Sequence, residues 1–494
     1  MSEQTSSQLA ALKLQQAFAA HQAGDLENAA QGYLAVLELE PEHDDAHHML
    51  GIVYKNARQY EAAERHIKRA ILLRPTGAPM YYNMGNLMSV QGRVDEAVAC
   101  FKNAIACESN YPEAYYGLGN MLREREELRA AAAAFELALR LKPDYVEARH
   151  NRANVLRDLR RPEESVAELK KVLQLKPGMP EAHYNLALSL FLLGRYEEGA
   201  PHYAHRFKTP GFSSPERNFV QPLWKGEVLP GKTLLVHCEQ GLGDTLQFVR
   251  YIWQVRARVG QLLLEVPPAL VRLVSDAVGE LAFVVPQGRA LPPFDVQTPL
   301  MSLLGLLPMP SARPYLKPQP ERVAAWKARL EGKPGVKVGI NWQGNPNAKI
   351  DRGRSIPLGE YEPLLALPGL RFISLQKNAG SEQLAALPPH LKVETLGDDF
   401  DSGSDAFVDS AAVMANLDLF ITTDTALAHL AGAVGCPTWL LLKQVPDWRW
   451  GLAGELTHWY EKTNLFRQRE PGSWAEPIQA MVRILESWHS QPGS

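Results

Sequence analysis

Residues of a kind that can do chemistry concentrate in FITTDTALAHLAGAVG, where an apolar strand run ends at Thr422 and Thr423 and helical patterning begins. Asp424, Thr425, Ala426 and His429 stand at that junction, and Thr425 and His429, four apart, share one helical face. The N–H groups of a first helical turn point out of the strand's C-terminal edge, and the helix dipole favours an anion there, so a pyrophosphate fits. Asp424 can accept from ribose or sugar hydroxyls and His429 can donate to phosphate. The plain alternative is a capped helix with a polar start.

A second constellation is the turn EQGLGD, which follows the apolar run KTLLVHC. Gly241 and Gly243 allow a tight strand-to-helix bend and put Asp244 at the start of the helix, close to the cleft. A nicotinamide fingerprint needs a third glycine where Leu246 stands. Asp244 is therefore read as an N-cap, as a chemical group at the cleft, or as both. The loop NWQGNPNAKIDRGRS carries Asn345, Lys349, Arg352 and Arg354, a cationic set able to close on a diphosphate in place of a metal ion, or simply to be solvated. GDDFDSGSD has the D-x-D spacing of a manganese site but precedes a helix, with Asp409 as its cap, so no metal is expected. Trp448, Arg449 and Trp450 in PDWRW line a pocket or anchor a core.

These segments need elements to hold them. From KTLLVHC onward, short apolar runs alternate with helical patterns, which signals parallel sheet built in two halves, the second starting at VKVGINWQG. Length supports several folding units: 494 residues correspond to about three domains. Hydrophobic residues at 46% and charged residues at 22% are ordinary globular usage. A formal net charge of −3 argues against bulk attraction to nucleic acid or anionic membrane. Cys100, Cys107, Cys238 and Cys436 form no C-x-x-C pair, so neither a zinc cage nor a disulfide framework is written here. The N-terminal segment has no basic stretch leading into an apolar core, and no run of about 18 apolar residues occurs, so a cytoplasmic protein without a transmembrane segment is expected.

The first part of the chain repeats with a period of 34. Gly51, Gly85, Gly119, Ala153 and Ala187 keep that interval, as do the small residues Ala29, Ala63, Ala97, Ala131, Ser165 and Gly199. A large series, Tyr33, Ile67, Phe101, Phe135, Leu169 and Tyr203, and a terminating series, Pro41, Pro75, Ser109, Pro143 and Pro177, hold the same phase. Small residues let two helices approach, large ones fill the gap, and proline ends the second helix. This pattern resembles the tetratricopeptide repeat over roughly residues 10 to 204, as five complete repeats and a sixth that runs into the next domain. Stacked pairs make a superhelix whose concave face is lined by the first helix of each pair. Asn83, Asn86, Asn120, Asn151, Asn154 and Asn185 lie on those helices, and their amides can hold an extended backbone whatever its sequence. The repeats of eukaryotic O-GlcNAc transferases resemble this, although Met49 and Gly117 interrupt the row here. The alternative is that the asparagines bond the neighbouring helix.

Taken together, HCEQGLGDTLQFVRY, NWQGNPNAKIDRGRSIPL, DTALAHLAGAVGCPTWLLL and PDWRW resemble bacterial proteins that fuse tetratricopeptide repeats to a family 9 glycosyltransferase domain, the ADP-heptose:lipopolysaccharide heptosyltransferase type. The resemblance implies an α-solenoid at 1–204, a connector at 205–230, and a GT-B pair of Rossmann-like α/β halves, 231–330 on the acceptor side and 331–494 on the donor side. It implies Asp244 as general base, Asp424, Thr425, Ala426 and His429 on the nucleotide diphosphate and sugar, and Arg354 near the phosphates where many relatives have lysine. The implied activity is metal-independent, inverting transfer from a nucleotide sugar, of ADP-heptose or UDP-sugar type, to a protein or glycan acceptor, with no cofactor. A non-catalytic repeat scaffold with a degenerate transferase domain is the alternative from another class. A nucleotide-sugar epimerase would share the diphosphate site without needing an acceptor.

Overall fold

The computed structural model describes residues 3–239, 241–347, 351–403 and 406–489, and the chain divides into two compact units, Met1–Ala182 and His183–Ser494. In the first unit helix pairs follow the 34-residue phase: Glu3–Gln22 with Leu26–Leu39, Asp44–Asn56 with Tyr60–Leu73, Ala78–Val90 with Val94–Cys107, Pro112–Glu124 with Leu128–Leu141, and Val146–Asp158 with Pro162–Leu175. A sixth pair, Pro180–Leu192 and Tyr196–Tyr203, keeps the phase and lies, from His183 on, in the second unit.

The repeat follows from side-chain size. The large residue of each second helix is buried, with Ile67 at 0%, Phe101 at 1% and Phe135 at 0% exposure, and packs on the glycine of its own first helix. A Cβ at Gly51, Gly85 or Gly119 would lie 2.5, 2.8 and 2.6 Å from Ile67, Phe101 and Phe135 respectively. The second helices end at Leu39, Leu73, Cys107, Leu141 and Leu175, two residues ahead of the Pro41, Pro75, Ser109, Pro143 and Pro177 series. The bend inside each pair also recurs: Gly24, Arg58, Gly92, Glu126, Arg160 and Gly194, again 34 apart, all have positive φ, between 59° and 79°. Half of these positions are not glycine, so the left-handed turn is imposed by the packing around it.

The second unit contains two parallel sheets. The first has the order β3-β2-β1-β4, from β1 Leu229–His237, β2 Val259–Val266, β3 Phe283–Pro286 and β4 Val296–Pro299. The second comprises β5 Val336–Asn341, β6 Leu370–Ser374, β7 Val393–Glu394, β8 Leu419–Thr423, β9 Thr438–Leu442 and β10 Thr463–Arg467. Its order, β7-β6-β5-β8-β9-β10, is that of a doubly wound parallel sheet, in which chain direction across the sheet reverses between the first and fourth strands. Runs such as TWLLL in β9 are buried throughout because helices cover both faces. Ligands in such sheets bind beyond the C-terminal strand ends at the point of reversal, here β5 beside β8.

The acidic loop has a structural role that differs from the expected one. Asp401, not Asp409, caps the helix Val408–Met414: it accepts the N–H of Asp409 at 2.9 Å and of Ser410 at 3.3 Å. Asp409 is buried in the first turn and accepts from Trp326 Nε1 at 2.8 Å and Arg322 at 2.9 Å. Asp399 pairs with Arg329 at 2.7 Å. The carboxylates Asp399, Asp401 and Asp409 are thus spent on protein donors.

The glycine series gives a direct test. Gly119→Ala forces its methyl group into Phe135 and should lower stability by about 1–3 kcal/mol. Gly178→Ala, with nothing within 4 Å of the new Cβ, should be neutral or stabilising by about 0.4–1 kcal/mol. Thermal melts followed by far-ultraviolet circular dichroism check both; equal effects at the two glycines would contradict the packing account.

Candidate functional site

At the reversal point of the second sheet, β5 ends on Asn341 and β8 on Thr422 and Thr423. The register sets Asn341 beside Thr422, and Asn341 Oδ1 accepts from the Thr422 hydroxyl at 3.1 Å and from the Thr425 hydroxyl at 3.0 Å. Thr425 is the N-cap of the helix Ala426–Val434, yet its hydroxyl is committed to Asn341 and makes no cap bond. The first N–H groups of that helix therefore have no side-chain acceptor from their cap, which leaves them oriented for an anion. Ala426 is the first residue of the helix, and His429 sits one turn in, 6% exposed.

The loop after β5 folds back over this edge. Gly344 donates to Ser355 Oγ at 3.0 Å, Ser355 donates to Asp351 at 2.8 Å, and the Thr423 hydroxyl donates to the Arg354 carbonyl at 2.6 Å. The Arg354 guanidinium is thereby placed on Asp424, 2.8 Å from its Oδ2. Two residues expected on the same ligand are each other's partner. Asn345 is exposed and accepts from the Asn347 N–H at 3.1 Å, so its observed bond is local to the loop. Lys349 lies outside the described residues.

The glycine turn reaches the same place from the first sheet. Gly241 is the N-cap of the helix Leu242–Phe248, and Asp244 reaches back to accept its N–H at 3.1 Å. Asp244 thus does cap, from the third helical position rather than the first. A Cβ on Gly243 would lie 2.9 Å from His429 Cδ2 and 3.3 Å from Ala426 Cα, so only a glycine lets the two helices meet this closely. Asp244, Asp424 and His429 are separated in sequence by up to 185 positions but gather at one edge.

Arg449 ties the edge together. Its guanidinium donates to Asp244 Oδ1, to Asp447 Oδ1 at 2.8 Å, and to Gln247 Oε1. Trp448 is stacked under it at 4.4 Å, and Trp450 stacks on His429 with ring centroids 5.4 Å apart. Both tryptophans are buried, so they serve as core anchors and as walls of the site. Sequence reasoning did not single out Asn341, Gln247, Asp447 or Tyr460; Asp447, adjacent to the tryptophans in PDWRW, offered the one readable signal.

The charges are balanced closely. Burial pushes the Asp244 carboxyl above its ordinary pKa, against the pull of Arg449 and the Gly241 N–H. Burial opposes ionisation of Asp447 as well, but Arg449 and Arg354 together hold it below the usual range. His429 is driven well below 6.5, first by burial and then by the nearby arginines, so it is a neutral imidazole at pH 7, with Nδ1 2.9 Å from the Tyr460 hydroxyl. Around this cluster, Arg354 Nε, Gln247 Nε2 and Trp450 Nε1 are buried and lack a hydrogen-bond partner among the described residues. Unpaired buried donors are costly, and a ligand rich in acceptor oxygens would satisfy them.

The asparagine row divides. Asn83 Nδ2 lies 2.9 Å from His48 Nε2, and Asn151 donates to Asn120 Oδ1 at 2.8 Å. Those amides bond neighbouring repeats. Asn154 Oδ1 is buried without a partner among the described residues, Asn86 is half-buried, and Asn185 lies on Pro180–Leu192, past the start of the second unit.

The neutral His429 has a consequence for stability. The unfolded chain protonates this histidine below about pH 6.5 while the folded chain does not, so stability is lost as pH falls. The loss begins near pH 6.5 and grows as pH falls toward the depressed value of the folded state. His429→Gln should remove that part of the acid sensitivity. The fluorescence of the ten tryptophans, all at or beyond Trp224, reports the second unit and checks it; an unchanged pH dependence would contradict a neutral His429.

Comparison with known proteins matches residues 33–65, 82–146 and 150–206 to the tetratricopeptide repeat. Protein FlbA of Caulobacter vibrioides is 32% identical over 317 residues, a match that covers 59% of this chain and 52% of FlbA, so the chain spans about half the length of that curated relative. Among solved structures, Pseudomonas aeruginosa PilF is similar at 19% identity over 42% of this chain and 95% of its own, with a TM-score of 0.39. YrrB, a tetratricopeptide protein with an unusual peptide-binding site, is similar at 21% identity over 36% of this chain and 91% of its own, with a TM-score of 0.33. Among the described residues no helix is long and apolar enough to cross a membrane. The chain carries tetratricopeptide repeats, a scaffold suited to protein–protein interaction, followed by an α/β region of two parallel sheets.

Proposed function

We propose that the second unit is a GT-B type glycosyltransferase of the heptosyltransferase kind, which moves a sugar from a nucleotide donor to a protein or glycan acceptor recruited by the repeats. The observation that carries this reading is the meeting of the glycine turn with the start of the helix Ala426–Val434, through the Gly243–His429 contact and the Arg449–Asp244 pair. It brings a carboxylate with a raised proton affinity to an anion-favouring helix start that is surrounded by unpaired donors.

In the proposed reaction an acceptor hydroxyl loses its proton to Asp244 while its oxygen attacks the anomeric carbon. The bond from that carbon to the donor phosphate breaks, and the nucleoside diphosphate leaves. A single displacement of this kind inverts the anomeric centre. The helix start would hold the leaving diphosphate, with Arg354 and a neutral His429 as further donors. Arg354 reaches the phosphates once they displace Asp424, whose carboxylate is then free for sugar hydroxyls. No metal enters this scheme, because the charge on the leaving group is met by Arg354 and backbone N–H groups.

One observation favours the second reading, a non-catalytic repeat scaffold. Both guanidinium groups of the site, Arg354 and Arg449, are already engaged by carboxylates. A degenerate domain in which these ion pairs are permanent would look the same.

Asp244→Asn separates the two. General-base assistance contributes about 10²–10⁴-fold, so the variant should lose transfer by that factor while donor affinity stays within a few fold. Turnover of labelled nucleotide sugars, read against donor binding, checks this. Retained transfer in the variant would remove Asp244 as base, and absence of transfer and of donor binding in the wild type would leave the scaffold reading.

A further inference from the structure

Two of the contacts between the sixth helix pair, with the turn that follows it, and the rest of the second unit adjoin the Asp244–Arg449 pair, one on each side. The first is ionic. Arg206, in the turn Ala204–Lys208 that follows the pair, is 1% exposed and donates to both oxygens of Glu239, Nε to Oε2 at 2.7 Å and Nη2 to Oε1 at 2.8 Å. Glu239 lies between the end of β1 and the turn that carries Asp244, and it also accepts the N–H of Met301, just past β4, at 3.0 Å. Arg206, in the turn that follows the repeats, therefore reaches the segments that follow β1 and β4, the reversal point of the first sheet. Around it the approach is tight: a Cβ on Gly305 would lie 2.3 Å from Ala200 Cβ on the helix Tyr196–Tyr203.

The second point is aromatic. Phe191 and Tyr196 pack on Trp448, with ring centroids 4.8 and 5.9 Å apart, and Tyr196 also meets Trp459 at 5.8 Å. The Tyr196 hydroxyl is 2.9 Å from His458 Nε2. Trp459 Nε1 in turn donates to the Arg449 carbonyl at 2.9 Å. Arg449 is thus held at its carbonyl by Trp459 and at its guanidinium by Trp448, and both tryptophans rest on the sixth pair.

We infer that the last helix pair of the repeats is a working part of the candidate site, with Arg206 and Tyr196 as positioning residues that hold the Asp244 turn and the Arg449 loop in register. The geometry stands apart from the transferase reading; only its catalytic consequence rests on that reading. A purely apolar contact would anchor the pair as firmly, and a buried ion pair is a poor source of net stability. What the Arg206 fork adds is orientation and charge: it fixes the position of Glu239, whose own charge is one of those that raise the proton affinity of Asp244. An event that shifts the sixth pair would therefore reach the site through two separate contacts.

Because tryptophans are confined to Trp224 and beyond, fluorescence melts of the full chain read this unit selectively. Asp244→Asn is made alone, with Arg206→Lys, which keeps the charge but loses the fork, and with Tyr196→Ala. Melts are compared at about pH 4 and about pH 8, because a carboxyl held above its ordinary value loses stability as pH rises from about 4. Distant residues without shared partners act additively, whereas positioning predicts that the Asp244→Asn shift changes by about 2 °C or more in either second background, and by different amounts at the two pH values. Additive midpoints at both pH values in both backgrounds would overturn the inference. If Arg206→Lys does not fold, the Tyr196→Ala cycle decides alone. Nucleotides play no part, so the result is independent of whether the transferase reading survives.

Discussion

One guanidinium, that of Arg449, is shared between Asp244 and Asp447, and the candidate site depends on that sharing. Asp244 belongs to the turn after β1 of the first sheet and Asp447 to the segment after β9 of the second, so this guanidinium joins the two turns directly. A buried arginine cannot give up its charge, so both carboxylates must stay close and the two sheets must present their C-terminal ends to one another. Removal of Arg449 would leave buried carboxylates uncompensated, which costs about 3–5 kcal/mol in comparable pairs. The flanking tryptophans, Gln247 and the Trp459–Arg449 bond are the means by which the fold keeps that guanidinium in place.

This constraint also explains the electrostatic character of the site. Three carboxylates, Asp244, Asp424 and Asp447, face two guanidinium groups, Arg354 and Arg449, while His429 is uncharged. At this site the guanidinium groups of Arg354 and Arg449 are already engaged by carboxylates. What it offers is exchange: a diphosphate that takes Arg354 from Asp424 satisfies the orphaned Arg354 Nε and releases a carboxylate for hydroxyl groups. Affinity in such a site comes from replacing ion pairs and filling unmet donors, more than from long-range attraction.

How much of this was legible in the sequence depended on whether the signal was local. The 34-residue phase was readable because each repeat makes the same small-on-large contact, such as Gly85 on Phe101, within a few turns of chain. The strand-to-helix junctions at Asp244 and Asp424 were readable because apolar runs end there. The left-handed turn at Arg58, Glu126 and Arg160 was not, since those residues carry no turn preference and the conformation is imposed by the stack. Nor was the cap of Val408–Met414: Asp401 and Asp409 both suit the role, and only the tertiary claim of Trp326 and Arg322 on Asp409 decides between them. The Arg449–Asp244 pair, 205 positions apart, and the Arg354–Asp424 pair have no local signature at all. The sequence pattern named the residues of the site but not which of them hold each other.

The measurement that tests the central claim most directly is calorimetric titration of a panel of nucleoside diphosphates, without metal, into the wild type, Arg354→Ala and Asp244→Asn. If the Asp424–Arg354 pair is the seat of a diphosphate, one nucleotide should bind the wild type and Asp244→Asn alike, and lose affinity by about 10-fold or more in Arg354→Ala, the equivalent of at least about 1.4 kcal/mol. No binding by any member of the panel, or binding unaffected by Arg354→Ala, would contradict the account.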